Sequence, residues 1–293
     1  MLDAVKERTF VEVAEVWVPE GDTLVWAGGD YGDLAAFEAV SGKETFNKGE
    51  GLPGKAWAEA RPVVLKAFEG SYFKRTEAAH ASGLSAAIAM PIFAGDTLRA
   101  VLVTFFGADE DRIGAIEVWA EMNGVLKLDD GYYGAARHFE WVSRHTQFPR
   151  GQGMPGLAWS TAAPVLMRDL GSGYKFIRAE TAGSAGLTTG VGLPVPVPGD
   201  ATYIFSLLSA RGTPIARRFE TWSGEGALLD GICAEEGDLS AGLAPTPAVT
   251  EALKTGIPVA QGNAVGLPAG YTSVVAVPIH VGGGVDHVIA WYN

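Results

Sequence analysis

Apolar residues recur along this chain with two periods. Val11 to Val18, Thr23 to Ala27, Pro62 to Ala67, Ser85 to Phe93 and Leu98 to Phe106 alternate or run apolar over the length of a strand, which is the mark of half-buried or buried β-structure. Between them, Pro53 to Ala60 and Tyr72 to Ala81 read as helices. Proline stands in the first turn of one; Ser71 precedes the other as a cap and Gly83 stops it. The block predicts strand, strand, helical stretch, strand, helix, strand, strand. Strands that return mostly by hairpins, with helices inserted between them, predict an α+β class in which an antiparallel sheet packs on helices.

The block is repeated. Trp17, Trp119 and Trp222 stand 102 and 103 positions apart, each closing a Glu-x-Trp segment: Glu15 to Trp17, Glu117 to Trp119, Glu220 to Trp222. The same shift carries Phe46 to Phe148, Gly51 to Gly153, Gly54 to Gly156, Trp57 to Trp159, Pro62 to Pro164 and Tyr72 to Tyr174. One inserted residue then carries Arg75-x-Glu77 onto Arg178-x-Glu180 and Pro91 onto Pro194. A period of this kind fixes the organisation before any single motif does. Three units follow, 1–110, 111–212 and 213–293. The third is shortened, since Trp222 to Val259 spans 37 positions where Trp17 to Val63 spans 46. Only about nine residues separate Phe106 from Ile116, too few for two helices and a linker, so the units are expected to pack rigidly rather than as beads on a string.

The run Gly49-Glu50-Gly51-Leu52-Pro53-Gly54-x-x-Trp57, with Arg61-Pro62-Val63, Arg75-x-x-x-Ala79-x-x-x-Gly83-Leu84 and Met90-Pro91-Ile92, resembles the body of a GAF domain, and Gly151 to Trp159 with Leu193-Pro194-Val195 repeats it. The resemblance implies tandem GAF-like, PAS-like domains, the last shortened, and a ligand cavity between helices and sheet. It places Arg75 and Arg178 on the helix that covers this cavity, where a guanidinium can hold a carboxylate or phosphate in a bidentate pair. The alternative for both is a surface ion pair with Glu77 or Glu180. It also places Lys66, Tyr72 and Phe73 in unit one, and Arg168, Asp169, Tyr174 and Phe176 in unit two, near the cavity mouth. With Asp169, Tyr174, Arg178 and Thr188, unit two offers the more varied polar set and is the preferred site.

Composition narrows the chemistry. Acidic groups exceed basic ones to give a net charge of −12 over 293 residues, without a lysine or arginine cluster, which argues against nucleic acid as a partner. No apolar run approaches the roughly 18 residues of a membrane span, and the start, Met-Leu-Asp-Ala-Val-Lys, has no secretory pattern; the expected address is the cytoplasm, with no membrane partner. A single cysteine, Cys233, leaves no internal disulfide or cysteine zinc site and reads as a buried hydrophobe. Gly49 to Lys55 fits a phosphate-loop spacing but ends on Ala56 where a hydroxyl is needed, and its copy has lost the lysine; its glycines read as a turn into a helix. Trp57 and Trp159 read as core residues. His280 and His287 flank a Gly282–Gly284 loop that would set His280 opposite Asp286.

No nucleophile with an oriented base is apparent, so the expectation is a non-catalytic sensory or regulatory protein. It would bind a small organic ligand, an anion among the candidates, in a helix-covered pocket of unit two and of unit one, and signal through an effector protein. Cofactor identity and homo-oligomerisation are left open. The competing expectation is an interaction scaffold whose cavities are filled by its own aromatic side chains.

Overall fold

A computed structural model describes residues 9–107, 112–171, 176–233, 237–240 and 242–293. The α+β expectation holds: three antiparallel six-stranded sheets follow one another, each with one or more helices on one face. The first is built from β1 (Val13–Glu20), β2 (Thr23–Asp30), β3 (Thr45–Asn47), β4 (Val63–Leu65), β5 (Leu84–Ala94) and β6 (Thr97–Gly107), in the spatial order β3-β2-β1-β6-β5-β4. Helices α1 (Ala35–Ser41), α2 (Gly51–Glu59) and α3 (Thr76–Ala81) complete it.

The second sheet repeats this order with β7 (Ile113–Met122), β8 (Val125–Gly134), β9 (Gln147–Pro149), β10 (Val165–Met167), β11 (Leu187–Val195) and β12 (Tyr203–Ala210), and with α4 (Arg137–Arg144), α5 (Gly153–Thr161) and α6 (Ala179–Ser184). The third has β13 (Arg218–Ser223), β14 (Leu228–Cys233), β15 (Gly237–Asp238), β16 (Val259–Gly262), β17 (Ser273–Val281) and β18 (Gly284–Tyr292). It carries one helix among the described residues, α7 (Pro247–Thr255), capped by the Thr246 hydroxyl.

Successive side chains of a strand point to opposite faces, and here both faces are apolar. Along β5, Ala86, Ile88, Met90 and Ile92 face one way, while Ala87, Ala89 and Phe93 face the helices. The first set joins Val118, Val191, Leu193 and Phe205 of the second sheet, and Phe219, Val277, Ile289 and Trp291 of the third, in one core. Three sheets thus share a central apolar interior, and each keeps its own helix-side core. Where Met90–Phe93, Leu193–Pro196 and Val277–His280 meet, the remaining void is only about 10 Å³. The join is close: a Cβ on Gly114 would lie 2.6 Å from the ring of Phe10, which reaches from unit one into the start of unit two.

Some local expectations are corrected. Tyr72 to Ala81 is not one helix; α3 begins at Thr76. The Ser71 hydroxyl accepts from the Phe73 N–H and donates to the Phe68 carbonyl, a turn that stacks Phe68 on Phe73 at 4.1 Å instead of capping a helix. Gly282 and Gly283 alone form the β17–β18 turn, both at positive φ. This register sets His280 opposite Val285, so Asp286 contacts its neighbour His287 instead.

Candidate functional site

Period two puts Glu15 on the same strand face as the fully buried Trp17, and so buries a carboxylate. Arg75 meets it from the residue before α3: Nη1 donates to Oε1 at 2.6 Å and Nη2 to Oε2 at 2.9 Å. The indole of Trp17, the hydroxyl of Tyr31 and the hydroxyl of Ser41 also donate to this carboxylate. Five rings, those of Trp17, Phe37, Phe46, Phe73 and Phe105, stand 4.9–5.8 Å from the guanidinium carbon. Unit two repeats the knot with Glu117, Arg178, Trp119, Tyr133 and Ser143, inside the rings of Trp119, Phe139, Phe148 and Phe176. Burial and the adjacent carboxylate push the hydroxyls of Tyr31 and Tyr133 far above the usual phenol range.

Unit three keeps the carboxylate and changes the donors. Glu220 receives Trp222, Tyr292 and Arg218, which lies two residues earlier on β13. The position matching Tyr31 and Tyr133 is Cys233, whose sulfur lies 3.0 Å from the Tyr271 hydroxyl.

The residues expected at a cavity mouth are therefore dispersed. Arg75 and Arg178 are interior groups bound to Glu15 and Glu117, which corrects the alternative of a surface pair with Glu77 or Glu180. Phe73 and Phe176 are buried walls of the same knots. Tyr72 is 41% exposed, with the Lys55 ammonium 5.2 Å from its ring. Thr188 is half-buried and donates to the Ser209 carbonyl. Asp169 is exposed at positive φ. Tyr174 lies outside the described residues. Trp57 and Trp159 are half-buried and pack against the helix-side cores, and each lies under a cation, Lys48 and Arg150.

Arg168 points across to unit three, and with Lys66 it defines a second arrangement. The end of β4 abuts β8, and Lys66 binds Asp130 at 2.7 Å while Arg61 binds Asp129 at 3.1 Å. The end of β10 abuts β14, where Arg168 clasps Asp230, Asp238 and the Gly231 carbonyl. The ring closes where β16 abuts β2. Registers align Lys66, Arg168 and Gly262, and they align Asp130, Asp230 and Gly28. Arg61 and Asp129 correspond to Ile257 and Ala27 in the same way. At the third seam all four clamp positions are small or apolar, and all four line a groove of about 800 Å³. This is the size of a small-molecule site.

No family model matches the chain, and no curated protein matches it. Solved structures do. A GAF domain from A. aeolicus, in an inactive state, is similar at 27% identity over 34% of this chain and 59% of that chain, with a TM-score of 0.28. Free methionine-R-sulfoxide reductase from Neisseria meningitidis, in complex with its substrate, is similar at 18% identity over 34% of this chain and 57% of that one, TM-score 0.27. The NreA protein of Staphylococcus aureus, mutated in its nitrate binding site, is similar at 15% over 33% and 72%, TM-score 0.27. Each match covers about one unit of this chain, and less than two thirds of the first two structures.

The groove residues were not among those singled out in the sequence. Trp26 forms one wall, its indole N–H held by the Tyr31 hydroxyl at 2.8 Å. Glu38 of α1 and Glu251 of α7 stand on the sides contributed by units one and three, with Gln261 on β16 and Asn263 just after it. The available signal was the internal comparison itself, glycine standing where both other copies hold a charge.

Proposed function

We propose that the chain is a non-catalytic binding protein of sensory or regulatory type, whose small-molecule site is the groove between units three and one. The observation that carries this reading is the missing clamp: two seams are closed by ion pairs, and the third has Gly28, Ala27, Ile257 and Gly262 at the same positions around 800 Å³ of space. The helix-covered pockets of units one and two are a weaker choice, since the Arg75–Glu15 and Arg178–Glu117 pairs occupy their interiors. Occupancy of a seam between units gives a ligand a means of altering their packing, and a partner protein would read that change.

The test is a thermal-shift screen of a metabolite panel, followed by titration of each binder against Gly262→Arg. The added Cβ would stand 2.8 Å from Asp30 Oδ1, so the Asp30 carboxylate must turn aside, and the long side chain then occupies the groove. A ligand at 100 times its Kd stabilises the native state by about 2.7 kcal/mol, and Gly262→Arg is expected to abolish that gain, measured against the melting temperature of the unliganded variant. Binders indifferent to Gly262→Arg would refute the groove as the site. The filled helix-side cores favour a second reading, an interaction scaffold without a ligand; a panel that yields no binder at all supports it.

A further inference from the structure

We propose that the third-seam groove takes an organic cation, an ammonium group carried on an apolar body. This rests on the groove being the binding site and adds the chemical class. Among the described residues, the charged ones lining the groove are Glu38 and Glu251, with no lysine or arginine. Among the described residues neither glutamate has an ion-pair partner. Asp30, at the edge beside Gly262, accepts from the Gly32 N–H and pairs with no cation among the described residues.

The contrast with the other seams is chemical as well as steric. Asp129, Asp130, Asp230 and Asp238 each face a cation supplied by this chain. At the third seam carboxylates come from both units, and the cation that crosses it, Arg99, donates to the Thr255 carbonyl at 2.9 Å rather than to either glutamate, so a positively charged guest completes what Lys66 and Arg168 complete elsewhere. An anion would meet two like charges in a partly desolvated cleft.

The remaining surfaces fit the rest of such a molecule. The Trp26 ring, fixed through Tyr31 and Glu15, lines the groove, and indole is the aromatic ring that attracts ammonium groups most strongly. Pro258 and the 86% exposed Val265 supply apolar contact, and the Gln261 and Asn263 carboxamides make no side-chain hydrogen bond to the described residues.

Calorimetric titration of the full chain at pH 7 and low salt tests this with choline, spermidine and tryptamine, and with indole-3-acetate and tryptophol as the anionic and neutral counterparts of tryptamine. Binding of at least one ammonium compound is expected, weakening with added salt. Glu38→Gln and Glu251→Gln should each weaken it about tenfold while leaving the melting temperature of the free protein unchanged. Failure of every ammonium compound to bind at 10 mM overturns the proposal. So does binding of indole-3-acetate or tryptophol at least as tight as that of tryptamine. If those two bind and Gly262→Arg removes them, the groove survives as the site and only the cation is refuted.

Discussion

Arg75 and Glu15 lie 60 residues apart in sequence and meet in a bidentate pair from which water is excluded, their side chains 1% and 0% exposed. Arg178 and Glu117 repeat it. Desolvating two such ions is costly, and removing only one leaves a buried uncompensated charge, an effect of about 3–5 kcal/mol. Arg178→Met is therefore expected to cost that much in urea unfolding, and Glu117→Gln a similar amount. Replacing both with apolar residues of similar volume should recover most of the loss. A single substitution that costs under 1 kcal/mol would mean that the pair is open to water.

The same knots hide three phenols. Tyr31 and Tyr133 donate to the buried carboxylates of units one and two, and Tyr292 to Glu220, and burial followed by that negative charge raises all three. A raised folded pKa gives stability that is complete below the unfolded value, near 10, and is lost as pH rises beyond it. Absorbance titration of the native protein should therefore leave these three of the eight tyrosines protonated until alkaline unfolding exposes them together. Gradual ionisation of all eight with the fold intact would contradict the burial.

Much of this architecture is legible in one dimension. Trp17, Trp119 and Trp222 mark three strands with like surroundings because a fully buried indole needs the same neighbours each time, and all three receive a carboxylate two residues before. That carboxylate was the overlooked signal: an acid on the buried face of a strand, three times over, demands an internal cation. The sequence shows the arginines but not their inward course, because Arg75 sits at a helix start, where a surface role is equally consistent with its spacing. The seam pairs are less accessible still. Lys66 and Asp130 belong to different units, and nothing local to either residue announces the other.

The shared core makes the units dependent on one another. Unit two contributes Ile116, Val118, Val191, Leu193, Val195, Phe205 and Leu207 to it. At about 1.5–3 kcal/mol per large apolar side chain, exposing them costs roughly 10–20 kcal/mol, as much as a whole domain's stability. A fragment spanning residues 112–212 is expected to aggregate or self-associate, and the full chain to unfold in one transition. A soluble, folded monomer of that fragment in sedimentation would refute the dependence.

His280 supplies a pH dependence of the opposite sense to the tyrosines. It is 5% exposed at the meeting point of the three sheets, and its Nδ1 has no partner. Burial, and then the charge of Arg99, lower its pKa. The native state therefore holds it neutral while the unfolded chain takes up a proton near pH 6.5. Stability is complete above that pH and falls below it, by up to about 1.4 kcal/mol per pH unit until the folded group titrates. Urea midpoints of His280→Gln measured from pH 7.5 to 5 should lose this one increment of slope, and an unchanged slope would assign the acid sensitivity elsewhere.

Arg168 and Arg178 stand ten residues apart in the same unit and should behave as opposites. The Arg168 side chain is 26% exposed and its partners Asp230 and Asp238 are 43% and 73% exposed, so solvent screens the pairs and competes for every hydrogen bond. Arg168→Ala is expected to cost about 1 kcal/mol or less at physiological salt, with the denaturant slope unchanged, against the several kcal/mol predicted for Arg178→Met. The reason is that seam clamps occupy space and set register between sheets that the central core already holds together. Added salt should narrow the small Arg168 effect further and leave the Arg178 effect standing, because the Debye length governs only charges that water can reach. Equal costs for the two arginines, or equal sensitivity to salt, would show that the second seam contributes to stability on the same footing as the buried knot.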